Sequence, residues 1–345
     1  MATDLLSHVL TLVRLTGALI FQVEVKGPWG VVAQPTVEKF APLLPPGTNQ
    51  VIAFHIVLDG RCWVRHAAHD WFPVPAGHAV VIAHGDRHEL CDQPGRTTVP
   101  FATMLGKRAL LDARQVRFEN GPGESTRLLC GFLGCDRRAF EPLCRSLPPV
   151  FKVDLGPRMD TLVRYAAANA LDDDPGAASL RGRLAELLFV AALRLHMQSL
   201  PANATGWLAG LHDPLVGRAM QSLHETPWRH WSVEDLARVT ASSRSVLAER
   251  FRAVIGEPPM HYLTGLRMHL AARRLRESRQ SIASVADEVG YESDAAFQRA
   301  FKRSFGTPPA TWRRNQASGA VTGRVPHQRE RRSRQRRSTD GAIPQ

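Results

Sequence analysis

Cysteine is scarce and unpatterned: the 345 residues hold five, Cys62, Cys91, Cys130, Cys135 and Cys144, with no CxxC pair. An odd number without metal-ligand spacing argues against a disulfide framework and fits reduced thiols in a cytosol. Long apolar runs are also missing. None approaches the roughly 18 residues of a membrane span. The apolar stretch from Leu15 to Phe21 lacks the basic segment before it and the small-residue cleavage site after it that a signal peptide needs. The chain reads as a mature cytoplasmic protein without a membrane partner. Acidic residues are short in one half only. The formal net charge is +12, with 16 Lys/Arg against 11 Asp/Glu over residues 212–316 and 7 against 2 over 317–345. A basic C-terminal half points to a polyanionic partner.

What is present is globular, with 44% hydrophobic and 22% charged residues at a length that suggests about two domains. The organising stretch runs from Ser232 to Arg314, because it holds two copies of one helical device. In the first, Ser232–Ala241 leads through Ser242 and Ser243 into a helix from Arg244 to Ile255. In the second, Ser281–Gly290 leads through Tyr291, Glu292 and Ser293 into Asp294–Phe305. Ser232 and Asp235 have the spacing of a capping box. Ala237 and Ala286 supply the small side chain needed where two helices cross, and Ala241 and Gly290 follow at the turns. Leu247, Phe251 and Ile255 form one buried stripe, and Phe297, Phe301 and Phe305 the other. The copies are offset by 49 residues at the crossing alanine and by 50 at the first apolar anchor, so the second turn is one residue longer. This echo lifts a helix-turn-helix reading above a single motif match. The bland alternative is a purely structural helical bundle.

Between the copies, Pro258–Arg276 predicts a helix of about 30 Å at 1.5 Å per residue. Successive major grooves of double-stranded DNA lie about 34 Å apart, so one chain can address two adjacent groove segments.

Upstream, residues 4–15 place Leu5, Val9, Leu12 and Val13 on one helical face. Short β-rich runs follow at Leu19–Val25, Val51–Leu58, Cys62–His66, His78–Ile82, His88–Cys91 and Val99–Met104, the text of a sandwich or barrel. Residues 136–200 turn helical. There Leu180, Leu184, Leu187, Leu188, Ala191 and Leu195 make a stripe that either packs on its own barrel or forms a homodimer seam. Residues 201–206 read as a linker, and Asp213-Pro214 opens a helix that runs to about Glu225. The segment Arg324–Arg337 has no apolar face and reads as disordered, either drawing phosphates without sequence preference or merely solubilising.

The double device, with Gly256-Glu-Pro-Pro-Met-His-Tyr-Leu263 after the first copy and Phe305-Gly-Thr-Pro-Pro-Ala-Thr-Trp-Arg313 after the second, resembles the DNA-binding domain of AraC/XylS-type transcriptional regulators. By that resemblance Ser245, Ala248 and Glu249 face the groove in the first copy, and Ala295, Ala296 and Arg299 in the second. Arg299 is the candidate for a bidentate bond to guanine. Arg244, Arg250, Lys302 and Arg303 fall to phosphates or to ordinary solvated surface. Ala241 and Ser242 stand where the family usually has Gly then Met, which implies strain in the first turn. Glu249 replaces a frequent Arg, so base reading leans on the second copy.

The N-terminal region is similar to the small-barrel cupin sensor domain of one group of these regulators, through Gly27–Gly30, Phe54–Trp63, Pro75–His88 and Leu128–Gly131. Metal-dependent cupins combine His-x-His and Glu with a second-motif His. Here the first motif is mostly missing, His55 sits where such enzymes tend to carry Glu, and His88 matches the second-motif His. His84 and His88, four apart, would share one face of an extended strand. A divalent metal at His55, His84 and His88 is therefore one reading, which belongs to a metal-dependent cupin enzyme with an appended helical domain. Another is histidines bonded to strand carbonyls. A third is a pocket for a small effector lined by Trp29, His55, Trp63 and His88, unless the tryptophans are only core.

The resemblance implies an α+β multidomain regulator. It would comprise a cupin-like β-barrel sensor with flanking helices (residues 1–156), a helical connector that can dimerise (157–206), an all-α double helix-turn-helix domain (207–316) and a basic tail (317–345). It implies no catalysis and no cofactor, regulation of transcription in either direction, and four partners: double-stranded DNA, a small-molecule effector, RNA polymerase and a second copy of the chain. A protein that coats DNA without sequence preference is the remaining alternative, motivated by the tail.

Overall fold

The computed structural model describes residues 5–13, 15–41, 44, 48–67, 69–105, 114–137 and 141–317; the Arg324–Arg337 segment lies outside the described residues. One sheet has six strands, in the order β11 (Val150–Asp154), β6 (His78–Ile82), β3 (Gln50–Asp59), β10 (Ser125–Cys135), β1 (Thr16–Lys26) and β9 (Gln115–Glu119). The other has five: β5 (Phe72–Pro75), β4 (Arg61–His66), β7 (His88–Cys91), β2 (Gly30–Ala33) and β8 (Val99–Pro100). The β1–β9 and β2–β8 pairs are parallel, and the other pairs are antiparallel.

Successive strand residues point to opposite faces, and the six-stranded sheet buries both. Phe21, Val23, Ala53, Val57, Leu128, Cys130 and Phe132 face the five-stranded sheet in one apolar core. Ile20, Ile52, Phe54, Ile56, Leu129 and Leu133 face helices on the other side. This double burial explains why β3 reads as an almost unbroken apolar run. Phe54 alone, fully buried, contributes about 1.5–3 kcal/mol. Its ring crosses Gly131 so closely that a Cβ there would lie 2.1 Å from it.

The outer face is covered by the helices Leu5–Val13, Gly156–Ala170 and Ala177–Gln198. Leu5, Val9 and Val13 are buried as the spacing predicts. In Ala177–Gln198 the buried face carries Leu184, Leu188, Phe189 and Leu193. The expected stripe is thus only partly right: Leu184 and Leu188 pack inward, whereas Leu187 is 49% exposed. Two further expectations are corrected. Val99–Met104 is not one strand, because the helix Phe101–Leu105 follows a two-residue bridge. The 136–200 segment is not wholly helical, since β11 completes the edge of the larger sheet.

The helical domain begins with Trp207–His212, continues through Pro214–Glu225, and contains both predicted pairs, Val233–Val239 with Arg244–Ile255 and Ile282–Glu288 with Asp294–Phe305. The linker helix Pro259–Glu277 joins them, and Pro309–Ala317 closes the domain. Apolar packing is continuous from the outer face of the six-stranded sheet through Trp207, Val216 and Leu223 to Leu236, Leu247 and Phe251 of the first pair. The second pair has its own core around Val285, Phe297 and Phe301.

Candidate nucleic-acid interface and barrel interior

Both helix pairs are built by local capping. Ser232 accepts from Asp235 N while Asp235 answers to the Ser232 N–H, the reciprocal capping box. Ser243, Ser281 and Ser293 cap the other three helices of the two pairs by accepting from Val246 N, Ser284 N and Ala296 N. The first turn spans 240–243 and the second 289–293, so the extra residue lies where the offset places it. Ala241 takes φ 54°, the only non-glycine residue at positive φ among the described residues, and Gly290 takes φ 84° at the equivalent turn. Alanine pays the left-handed steric penalty that glycine avoids, as the departure from glycine implied.

Ser245 and Glu249 are exposed and Ala248 is half-buried on the second helix of the first pair. In the second pair Ala295 and Arg299 are exposed and Ala296 is half-buried. Arg299, Lys302 and Arg303 project into solvent from one helix, without an ion pair among the described residues. Arg244 is exposed and pairs with Glu234 at 2.7 Å. Arg250 is a different case. Its Nε donates to Asp213 Oδ2 at 2.7 Å, and Asp213 is the buried N-cap whose other oxygen accepts from Leu215 N and Val216 N. With one nitrogen Arg250 thus braces the start of Pro214–Glu225, while its side chain stays 49% exposed. One surface residue was missed. Val246, in the first turn of the recognition helix, is 53% exposed, and its signal was an apolar residue off the buried stripe of Leu247 and Phe251.

In the barrel, His55 and His88 meet in the interior with their Nε2 atoms 2.9 Å apart. Their hydrogens can be placed by elimination. His88 Nδ1 lies 2.9 Å from the Asp86 carbonyl, which only accepts, so Nδ1 carries the hydrogen and the neutral ring's Nε2 is a lone pair. His55 Nε2 must then donate to His88, leaving His55 Nδ1 to accept from the Cys130 thiol at 3.1 Å. Burial holds His55 well below the usual histidine range, with His88 adding to the effect. Burial likewise lowers His88 to about 4 and pushes the Cys130 thiol up. At neutral pH this is an uncharged relay of satisfied groups.

That arrangement does not fit the metal a cupin suggests. His84 is not on a strand with His88; it sits at a turn, with Nδ1 3.3 Å from Gln50 Nε2 and Nε2 3.1 Å from the Leu147 carbonyl. The expected trio is thus a pair. Among the described residues no group of three His, Cys, Asp or Glu is placed to hold an ion. Trp63 is corrected too, because on β4 it is Cys62, Val64 and His66 that turn inward. Trp29 is buried, and it lines a cavity of about 20 Å³ with Phe21, His55, Met104, Cys130 and Phe132. That volume suits about one water. A larger cleft, about 820 Å³, lies outside the barrel against the helix Gly156–Ala170.

A paired helix-turn-helix domain, with exposed polar residues on both second helices and a two-sheet N-terminal domain packed against it, defines a DNA-binding regulator. The chain matches the family model described as cupin over residues 4–198 and the helix-turn-helix domain model over 236–315. A Streptomyces lividans protein described as an AraC-like transcription regulator is 35% identical over 90% of this chain and 98% of its own length. A Streptomyces antibioticus protein of the same description is 34% identical over 90% of this chain and 99% of its own. Among solved structures, the DNA-binding domain of AdpA in complex with a target DNA is 31% identical, covering 32% of this chain and 99% of that one, with a TM-score of 0.30. The chain belongs to the AraC-like transcription regulators and is a sequence-specific DNA-binding protein. No helix among the described residues is long and apolar enough to cross a membrane.

Proposed function

We propose that the chain is a cytoplasmic transcription activator controlled by a small effector in the barrel, acting as a homodimer with RNA polymerase as a further partner and with neither cofactor nor catalysis of its own. One observation carries the control. The carboxylate of Asp136 accepts from Asn49 Nδ2 at 2.7 Å and, on its other oxygen, from Arg276 of the linker helix. Asn49 and Asp136 flank β3 and β10, the strands that bring His55 and Cys130 together in the interior. A shift of these strands by an occupant is thereby delivered to the helix that separates the two DNA readers. An effector larger than one water must displace Phe101 and Met104, which gives the two states different affinities for it, as control requires.

Ser245, Ala248, Glu249, Ala295, Ala296 and Arg299 take the base-reading role, with Val246 suited to a thymine methyl. Arg244, Lys302 and Arg303 take phosphates. Tyr165 and Leu187, 51% and 49% exposed on the connector helices, support a second copy as partner. Genome-wide occupancy of the full chain on its own chromosome tests the reading. Discrete sites sharing one sequence support it, and uniform coverage would overturn it. Stoichiometric Fe, Mn or Zn in the purified chain would overturn its non-enzymatic part.

A further inference from the structure

Arg267 lies midway along the linker helix Pro259–Glu277, half-buried and without a carboxylate partner among the described residues. Its guanidinium donates to three backbone carbonyls: Nε to Pro227 at 2.7 Å, Nη2 to Arg229 at 2.8 Å and Nη1 to Gly290 at 3.1 Å. The first two belong to the turn that enters the first helix pair, and the third to the turn inside the second. These turns are in direct contact. A Cβ on Gly290 would lie 2.4 Å from the Trp228 carbonyl, and His230 stands 3.5 Å from Glu292 across the same seam. The two pairs have separate cores, so the seam supplements the linker helix in fixing their relative orientation.

We propose that Arg267 is a positioning residue that sets the phase between the two recognition helices and so selects the spacing of the two base-read elements in the operator. The proposal rests on the reading that both second helices read bases. A guanidinium suits the task because its rigid fork aims several donors at once, whereas a lysine ammonium concentrates its donors at one point. The lever is long. A rotation of about 10° over the roughly 28 Å of a 19-residue helix moves its far end by about 5 Å, more than the rise of about 3.4 Å per base pair.

The test uses the full chain and an operator selected from randomised DNA by the unaltered protein, then the same operator with one base pair inserted between its two elements. The unaltered chain is expected to lose about 10-fold or more in affinity on insertion, comparable to a mismatch. Arg267→Met and Arg267→Lys are expected to bind the parent operator more weakly and to discriminate the insertion several-fold less. Distances between spin labels at Arg252 and Gln298, measured without DNA, should broaden in both variants, a readout that survives even if DNA binding is lost. Variants that keep the parent ratio between spacings, or an unbroadened distance distribution, overturn the phase role. Indifference of the unaltered chain to the insertion overturns it too but leaves base reading intact. Failure to select any operator would instead overturn the underlying reading along with it.

Discussion

Ala241 and Gly290 occupy the same place in the two helix pairs, yet exchanging glycine and alanine there should act in opposite directions. Ala241 sits at φ 54° with its side chain exposed, so replacing it by glycine removes no packing and no backbone hydrogen bond. The left-handed conformation costs an L-residue about 1–2 kcal/mol, and the greater freedom of glycine in the unfolded chain returns about 0.5–1 kcal/mol of that. Ala241→Gly is therefore expected to stabilise by about 0.5–1 kcal/mol. Gly290→Ala incurs the same conformational penalty and adds a Cβ 2.4 Å from the Trp228 carbonyl, a backbone atom that cannot swing aside. Its expected effect is a loss of about 2–4 kcal/mol, the sum of that penalty and the strain of overpacking. Guanidinium unfolding of the full chain, followed by far-UV circular dichroism, measures both. A neutral or destabilising Ala241→Gly, or two shifts of the same sign, would refute the argument from turn geometry.

Arg299→Ala is expected to lose about 1–3 kcal/mol at one operator position and to relax specificity there; equal loss on all sequences would remove it from base reading. Arg250→Ala should lower stability by about 1 kcal/mol, since the arginine is half exposed and screened, and leave the salt slope of DNA binding unchanged. A slope smaller by about one would return it to phosphate. Removing the chain after Gln316 should flatten the salt dependence and spare sequence preference, and an unchanged slope would exclude the tail from binding. For His88, held at about 4 against an ordinary 6.5, the folded and unfolded states are both neutral above pH 6.5. As pH falls from 6.5 to 4 the unfolded state takes up a proton that the folded state refuses, so about 3 kcal/mol is lost by pH 4. His88→Gln should flatten that fall in denaturation midpoints, and an unaltered pH profile would exclude His88 as its source.

The features legible in the sequence are those whose cause is local. Asp213 and Pro214, the Ser232–Asp235 box and the offset of the two turns act within a few residues of themselves, and each is found where its spacing places it. β5 and β11 were illegible for an equally physical reason: Phe72–Pro75 alternates with prolines, and Val150–Asp154 is a short edge strand next to helix text. The pairing of His84 with His88 presumed an unbroken strand, whereas the chain turns at Gly85, φ 69°. Trp63 was misplaced because parity along β4 depends on register, which only the partner strand sets. Arg250 found its partner 37 residues away, a separation at which helical periodicity says nothing.

These long-range contacts also change what the duplication means. The two helix pairs differ on the exposed faces of their second helices, with Glu249 on one and Arg299 on the other. The structure adds an inequality of anchorage. The first pair shares continuous apolar packing with the sensor, and the second stands on its own core at the far end of the linker helix. Arg276, near the end of that helix, reaches Asp136 of the sensor, and Arg267, at its middle, ties the two turns. On the proposed control, a displacement arising at β3 and β10 would meet the helix beyond the Arg267 tie, on the side of the second pair, so the pair carrying Arg299 would be the one it reaches first.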